Sequence, residues 1–321
     1  MLAKTTDQII EEIQSLRANR GEIIRSLVDG RLFFYRKTCG SAEQFERDRL
    51  TWILRAQAGT LDKLDTLLRS GARPEAFELL ASARNLFENL TWVRLFKSNL
   101  EFGHVFYEML VRQQVDSIEG NIAQVQAEIS LFSACDECDK EITDRLIAEM
   151  DSANSEEERA AATKSQYERR EGLDSHVRRS FTLYGAAAKY NGYSYQAHLL
   201  QMKVLPKLEE TLAECRRSLS DFETEKASLL SGKLLNAATK WNWRDRSRDV
   251  GMLAQYDFLY RYTSRLLHST PMNLITEKGL SDSEYLLMLD YLFVTISDIY
   301  DEIEEFEAPR MADVFLIRTD A

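Results

Sequence analysis

The segment Asp257-Phe-Leu-Tyr260-Arg261-Tyr-Thr-Ser264-Arg265-Leu-Leu-His268 holds residue types that together could act on a phosphodiester. At about 100° per residue, Asp257, Arg261, Ser264 and His268 fall on one face of a helix, with Tyr260 beside them. Phe258, Leu259, Tyr262, Leu266 and Leu267 cover much of the remainder, so this is a polar stripe on an otherwise apolar helix. In that arrangement the His268 imidazole supplies acid/base catalysis, Arg261 holds phosphate and Ser264 adds a hydroxyl between them. The same pattern fits a second reading, in which His268 is a C-terminal residue favoured by the helix dipole and hydrogen-bonded inside a core.

Two further groups bear on this stripe. Arg84 and Glu88 stand one turn apart in an otherwise apolar helix, where an unpaired charge is costly, so the sequence predicts a buried pair with a tertiary partner for at least one member. Lys240-Trp-Asn-Trp243-Arg244-Asp-Arg-Ser-Arg248 interleaves aromatic and basic residues, and Trp243 with Arg244 could stack on a base and hold phosphate. Tryptophans in such a loop also serve to pin it to a core. Cys135-Asp-Glu-Cys138 places two thiols on one helix face, yet a structural zinc site wants four ligands and the neighbouring acids disfavour thiolates, so no metal or other cofactor is expected.

No Gly-x-Gly-x-x-Gly, Walker A or Gly-x-Ser-x-Gly run occurs, which leaves nucleotidyl, hydride and α/β-hydrolase chemistry without support. The formal net charge of -11 opposes general electrostatic capture of nucleic acid or anionic lipid. Ten acids against Lys278 alone between Glu277 and Glu307 account for nine of those charges, so the rest of the chain is nearly neutral. The N-terminus leads directly into an amphipathic pattern, the most apolar stretch (Tyr285 to Ile296) is too short to span a bilayer, and four cysteines make no disulfide framework. These features point to a cytoplasmic protein with no membrane partner.

The elements that must position these residues are helical. Thirteen glycines and four prolines are too few to turn many short strands. Asp7 to Thr38 reads as one helix kinked near Gly30 and stopped at Cys39-Gly40; Ser41 caps a second helix running towards Gly71, and the two form a hairpin. Pro74 to Ser98 is apolar on every side, which marks a central helix. The expected architecture is an all-α, multi-helix bundle forming one domain over 1–321, with a core from 1–110 and 180–306 and a tail over 307–321. A long helical hairpin, partly coiled-coil in character, projects over about 111–179 with its tip near Ser152 to Ser155. It is a candidate surface for a protein partner. Helices are also expected from Pro206 to about Leu230, from Asp249 to His268, and from Ser281 with a capping box to Glu284. Val314 to Arg318 is the one run of strand length.

Ala83-Arg84-Asn-Leu-Phe-Glu88, Trp243 and Tyr260-Arg-Tyr-Thr-Ser264-Arg-Leu-Leu-His268-Ser-Thr-Pro271, in that order, resemble the bacterial domain-of-unknown-function family 5677 over about Phe77 to Asn273. The resemblance implies a helical bundle in which Arg84, Glu88, Tyr260, Ser264 and His268 converge, and it brings no established activity. More distantly, Arg261 and His268 with six residues between them are similar to the motif of HEPN domains, helical bundles often found as ribonucleases of toxin and phage-defence systems. Tyr262 stands where those domains usually carry a polar residue. That likeness implies a metal-independent ribonuclease with RNA as partner, His268 and Arg261 as catalytic residues, and two facing motifs in a homodimer. The alternative is a non-catalytic helical binding or scaffold protein in which the Arg/Glu/Ser/His cluster is structural.

Overall fold

The structure, a computed structural model, describes residues 4–68, 73–267 and 280–307. His268, the turn at Gly71, Val314 to Arg318 and the tail beyond Glu307 lie outside them. The protein is an all-α multi-helix bundle, with no strand among the described residues. Its chain divides into two compact units, one drawn from Met1–Met109 and Glu225–Ala321 and the other from Leu110–Thr224. Among the described residues no helix is long and apolar enough to cross a membrane.

In the first unit, Thr5 and Gln8 exchange side-chain and backbone hydrogen bonds and open α1 (Thr6–Leu16). The break in the first helical run falls at a π-helical turn, Arg17–Gly21, before α2 (Glu22–Thr38), and not near Gly30. The extra residue of a π turn re-aims the next helix: α1 lies on the C-terminal helix while α2 lies on the second arm of the hairpin. That arm is split at Asp48, whose carboxylate accepts the Leu50 N–H at 2.7 Å, into α3 (Ala42–Arg47) and α4 (Arg49–Leu68).

Helix α5 (Ala76–Ser98) is central. Leu79, Ala83, Leu86, Phe87, Leu95 and Phe96 are fully buried, and α5 packs against α4, α11 (Trp243–Asp249), α12 (Leu253–Leu267) and α13 (Asp282–Glu304). The capping box predicted at Ser281 and Glu284 opens α13. The acidic run in α13 is met by cations of the same unit: Arg94 binds Asp298 and Glu302, Lys97 binds Glu302 and Glu305, and Arg20 binds Asp301 and Glu304.

Where α6 (Phe102–Ser152) begins, Gly103 crosses α4 so closely that a Cβ would lie 2.3 Å from the Arg49 carbonyl oxygen. Nearby His104 is 6% exposed, and burial, helped by Arg49 and opposed by Asp48 and Glu101, lowers its imidazole from 6.5 to about 4. Between those values the unfolded chain binds a proton that the native state does not. Stability is therefore expected to fall by about 3 kcal/mol as pH drops from about 6.5 towards 4. Urea denaturation of the parent and of His104→Gln at pH 7 and 4.5 reads this, and an equal acid loss in both would refute it.

The second unit holds the predicted hairpin. Helix α6 ends at Ser152, Ser155 caps α7 (Glu156–Arg179), and Arg169–Glu149 and Arg170–Asp139 pairs tie the arms. Residues 180–224 belong with this hairpin and not with the core, contrary to the sequence reading. The cause is a small core of its own: Val125, Phe132 and Cys135 of α6 and Val177 of α7 pack with Ala188 of α8 (Gly185–Asn191), Tyr193 and Ala197 of α9 (Tyr193–Leu199), and Leu200. A second π turn, Leu200–Val204, leads into α10 (Leu205–Leu229).

Candidate functional site

Helix α5 turns Ala83, Leu86, Phe87 and Leu90 into the core, which leaves Arg84 and Glu88 at the edge covered by α12. There the Tyr260 hydroxyl donates to Glu88 Oε1 at 2.5 Å, and Arg84 Nε donates to the same oxygen at 3.4 Å. The Arg84 guanidinium lies over the Tyr260 ring, 4.2 Å from its centroid. Burial, and then the Glu88 hydrogen bond, pushes the Tyr260 phenol well above its ordinary range, so it is a donor and not a base.

The structure thus brings Arg84, Glu88 and Tyr260 together. It does not enclose the Arg84–Glu88 pair, whose side chains are 31% and 27% exposed. This corrects the expectation of a pair inside the core, because the 3 to 5 kcal/mol cost of orphaning a buried charge does not apply at a solvent edge. Instead, Glu88→Ala and Tyr260→Phe are each expected to cost about 1 to 2 kcal/mol. The double variant should cost less than their sum because both remove one hydrogen bond. Strictly additive denaturation midpoints would contradict this.

With Tyr260 fixed, the rotation of α12 is set. Ser264 follows it by one turn and is half-buried; Arg261 flanks Ser264 and is exposed, its Nε donating to the Asp257 carbonyl at 2.9 Å. Arg244 forks the Asp257 carboxylate at 3.1 and 3.3 Å and holds it below the usual carboxylate range. His268 lies outside the described residues.

Trp243, expected to stack on a base, is used within the protein. It stands edge-on to Trp92 at 6.4 Å and to Trp241 at 5.4 Å, while Trp241 stacks on Trp92 at 4.4 Å and 15°. Trp92 and Tyr256, whose ring lies tilted at 31° against that of Tyr260 with centroids 4.2 Å apart, hold this region and carry no sequence signal of that role. Trp92 sits in a run so apolar that its particular partners leave no periodic trace, and Tyr256 stands between Gln255 and Asp257 like a surface residue. A cleft of about 630 Å³ at the first π turn, lined by Arg17, Arg25, Asp65 and Tyr300, also has no sequence signal. Its guanidinium groups are engaged by Asp65 and Asp62. In the second unit, Cys135 is buried, its thiol pushed up by desolvation, while Cys138 is exposed. Among the described residues no three His, Cys, Asp or Glu side chains are grouped to hold a metal.

Compared with protein-family models, curated proteins and solved structures, the chain matches none.

Proposed function

We propose that the first unit is a HEPN-like, metal-independent ribonuclease, of the kind that serves bacterial defence or toxin systems. The observation that carries this reading is the clamp of Arg84 and Glu88 on Tyr260, which fixes α12 with Ser264 at its solvent edge and Arg261 exposed beside it. An exposed guanidinium next to a hydroxyl on a rigid helix suits a phosphate group. In this reading Arg261 binds the scissile phosphate and His268, next along the stripe, moves the protons. The 2′-hydroxyl attacks phosphorus and gives up its proton, the bond to the 5′-oxygen breaks, and that oxygen is protonated. The products are a 2′,3′-cyclic phosphate and a 5′-hydroxyl end.

A specific observation favours the second reading, a non-catalytic helical binding or scaffold protein: Arg244, Glu88 and Trp243 spend their bonds and rings on intramolecular partners. The test is incubation of the purified protein with a mixed single-stranded RNA pool, with and without divalent metal. Cleavage that leaves cyclic phosphate ends and stops at 2′-deoxy positions supports the ribonuclease. An intact pool at high protein concentration moves the assignment to the scaffold.

A further inference from the structure

The second unit is electrically divided along its hairpin. Residues 136–158, around the tip, hold ten acids and two cations, whereas residues 175–208 hold five cations and no acid. Along α6 the acids of the tip layer begin at Asp136, eight residues or about 12 Å beyond Glu128 at about 1.5 Å each, and Glu149 near the tip lies about 30 Å away, several times the Debye length near 8 Å at physiological salt. The base of the unit is therefore locally rich in cations, although the whole protein is acidic.

That surface also presents rings. Phe181 is 85% exposed, Tyr190 92% and Tyr195 56%. Tyr190 and Tyr195 stand on helices that share the small core of Val177, Ala188, Tyr193 and Leu200, and Phe181 lies in the loop between Val177 and Ala188 of that core. Of the acids that border this stretch, Asp174 is engaged by Lys189 and by the Tyr193 hydroxyl and lies in the field of Arg178, while Glu209 and Glu210 follow Lys207; Arg178, Arg179, Lys203 and Lys207 are exposed.

The loop carrying Phe181 is built rather than loose. Glu128, fully buried, accepts the backbone N–H groups of Leu183 at 2.6 Å and Tyr184 at 2.9 Å, and Gln124 donates to the Phe181 carbonyl at 3.1 Å. Phe181 itself is held at a φ of 50°, a conformation bulky side chains rarely adopt. A strained backbone that keeps an apolar ring in water has no benefit to packing.

We propose that this face binds single-stranded nucleic acid, with the rings stacking on bases and Arg178, Arg179, Lys203 and Lys207 following the phosphates. Flat rings among exposed cations are what unpaired bases and backbone require. A strand is narrow and meets only this face, whereas an anionic bilayer is a plane that also confronts the acids of a protein with net charge -11. The inference does not rest on the ribonuclease reading, because an uncleavable DNA strand reports binding without chemistry.

The experiment is fluorescence anisotropy of the full chain with labelled oligouridylate and oligothymidylate of about 15 nucleotides, a length within the usual site size. Vesicles with and without phosphatidylserine serve as the competing surface. Binding is expected with both strands, with a log–log salt slope of about -3, from four phosphates at about 0.7 each. Tyr190→Ala and Phe181→Gly should each weaken it about tenfold, and Arg178→Glu with Lys203→Glu should remove most of it. Phe181→Gly is the decisive variant, since glycine accepts the positive φ and the fold is retained. No binding at low salt, variants that bind as the parent does, or sedimentation with anionic vesicles but no affinity for either strand would overturn the proposal.

Discussion

Glu108→Ala is expected to destabilise the protein by about 3 to 5 kcal/mol, the largest loss anticipated from any single side chain outside the apolar core. The Glu108 side chain is fully buried, and its carboxylate meets the Lys226 ammonium, 10% exposed, at 2.7 Å. Removing the carboxylate takes from a buried cation the charge it is paired with at 2.7 Å. Lys226→Met should cost less than Lys226→Ala, because methionine refills the space of the stem while leaving only the carboxylate to be accommodated. Glu108→Gln with Lys226→Met should recover part of the loss, since replacing both charges removes the orphan. The measurement is the urea midpoint and slope for each variant. If Glu108→Ala unfolds within about 1 kcal/mol of the parent, the pair is solvated and its burial is wrong.

The helices are legible in the sequence where local chemistry decides them. Ser281 with Glu284, Ser155, and the stop at Cys39 all act within a few residues, and the all-round apolar character of α5 announces its central place. Glu108–Lys226 is invisible because its members are 118 residues apart and each alone looks like an ordinary surface residue. The same holds for residues 180–224: nothing local says whether Ala188 and Leu200 will pack on α6 or on α5, since both offer apolar faces. The π turn at Arg17–Gly21 leaves no pattern for a related reason, because a one-residue slip in an α-helix answers to the helices it must meet. Spacing alone links Arg84 to Glu88, and nothing local joins Tyr260 to them, since it lies 172 residues from Glu88. Their exposure differs from the expectation because a helix apolar on every side still need not be enclosed at every position. Trp243 shows the limit of reading composition as surface, since the same aromatic and basic run that suits RNA also folds a loop onto Trp92.

His268→Ala is expected to abolish RNA cleavage while leaving the fold and the oligomeric state unchanged. A general acid/base contributes about 100- to 10,000-fold in rate, enough to take a modest activity below detection. Arg261→Ala should weaken the same activity through loss of phosphate contact, and it should do so without cost in stability, because Arg261 is exposed and its Nε bonds only to its own helix among the described residues. Tyr260→Phe provides the intermediate case: it releases the clamp on α12, so activity and stability should decline together. The pattern across the three variants separates the two classes of function. In the ribonuclease, His268 and Arg261 affect rate and not melting temperature, and sedimentation should show the dimer that two facing motifs require. In the scaffold, His268→Ala lowers the melting temperature of a protein that never cleaved RNA, as expected for an imidazole bonded within the core near a helix terminus. A stable, monomeric His268→Ala protein whose parent is also monomeric and inactive would exclude both the catalytic role and the structural one.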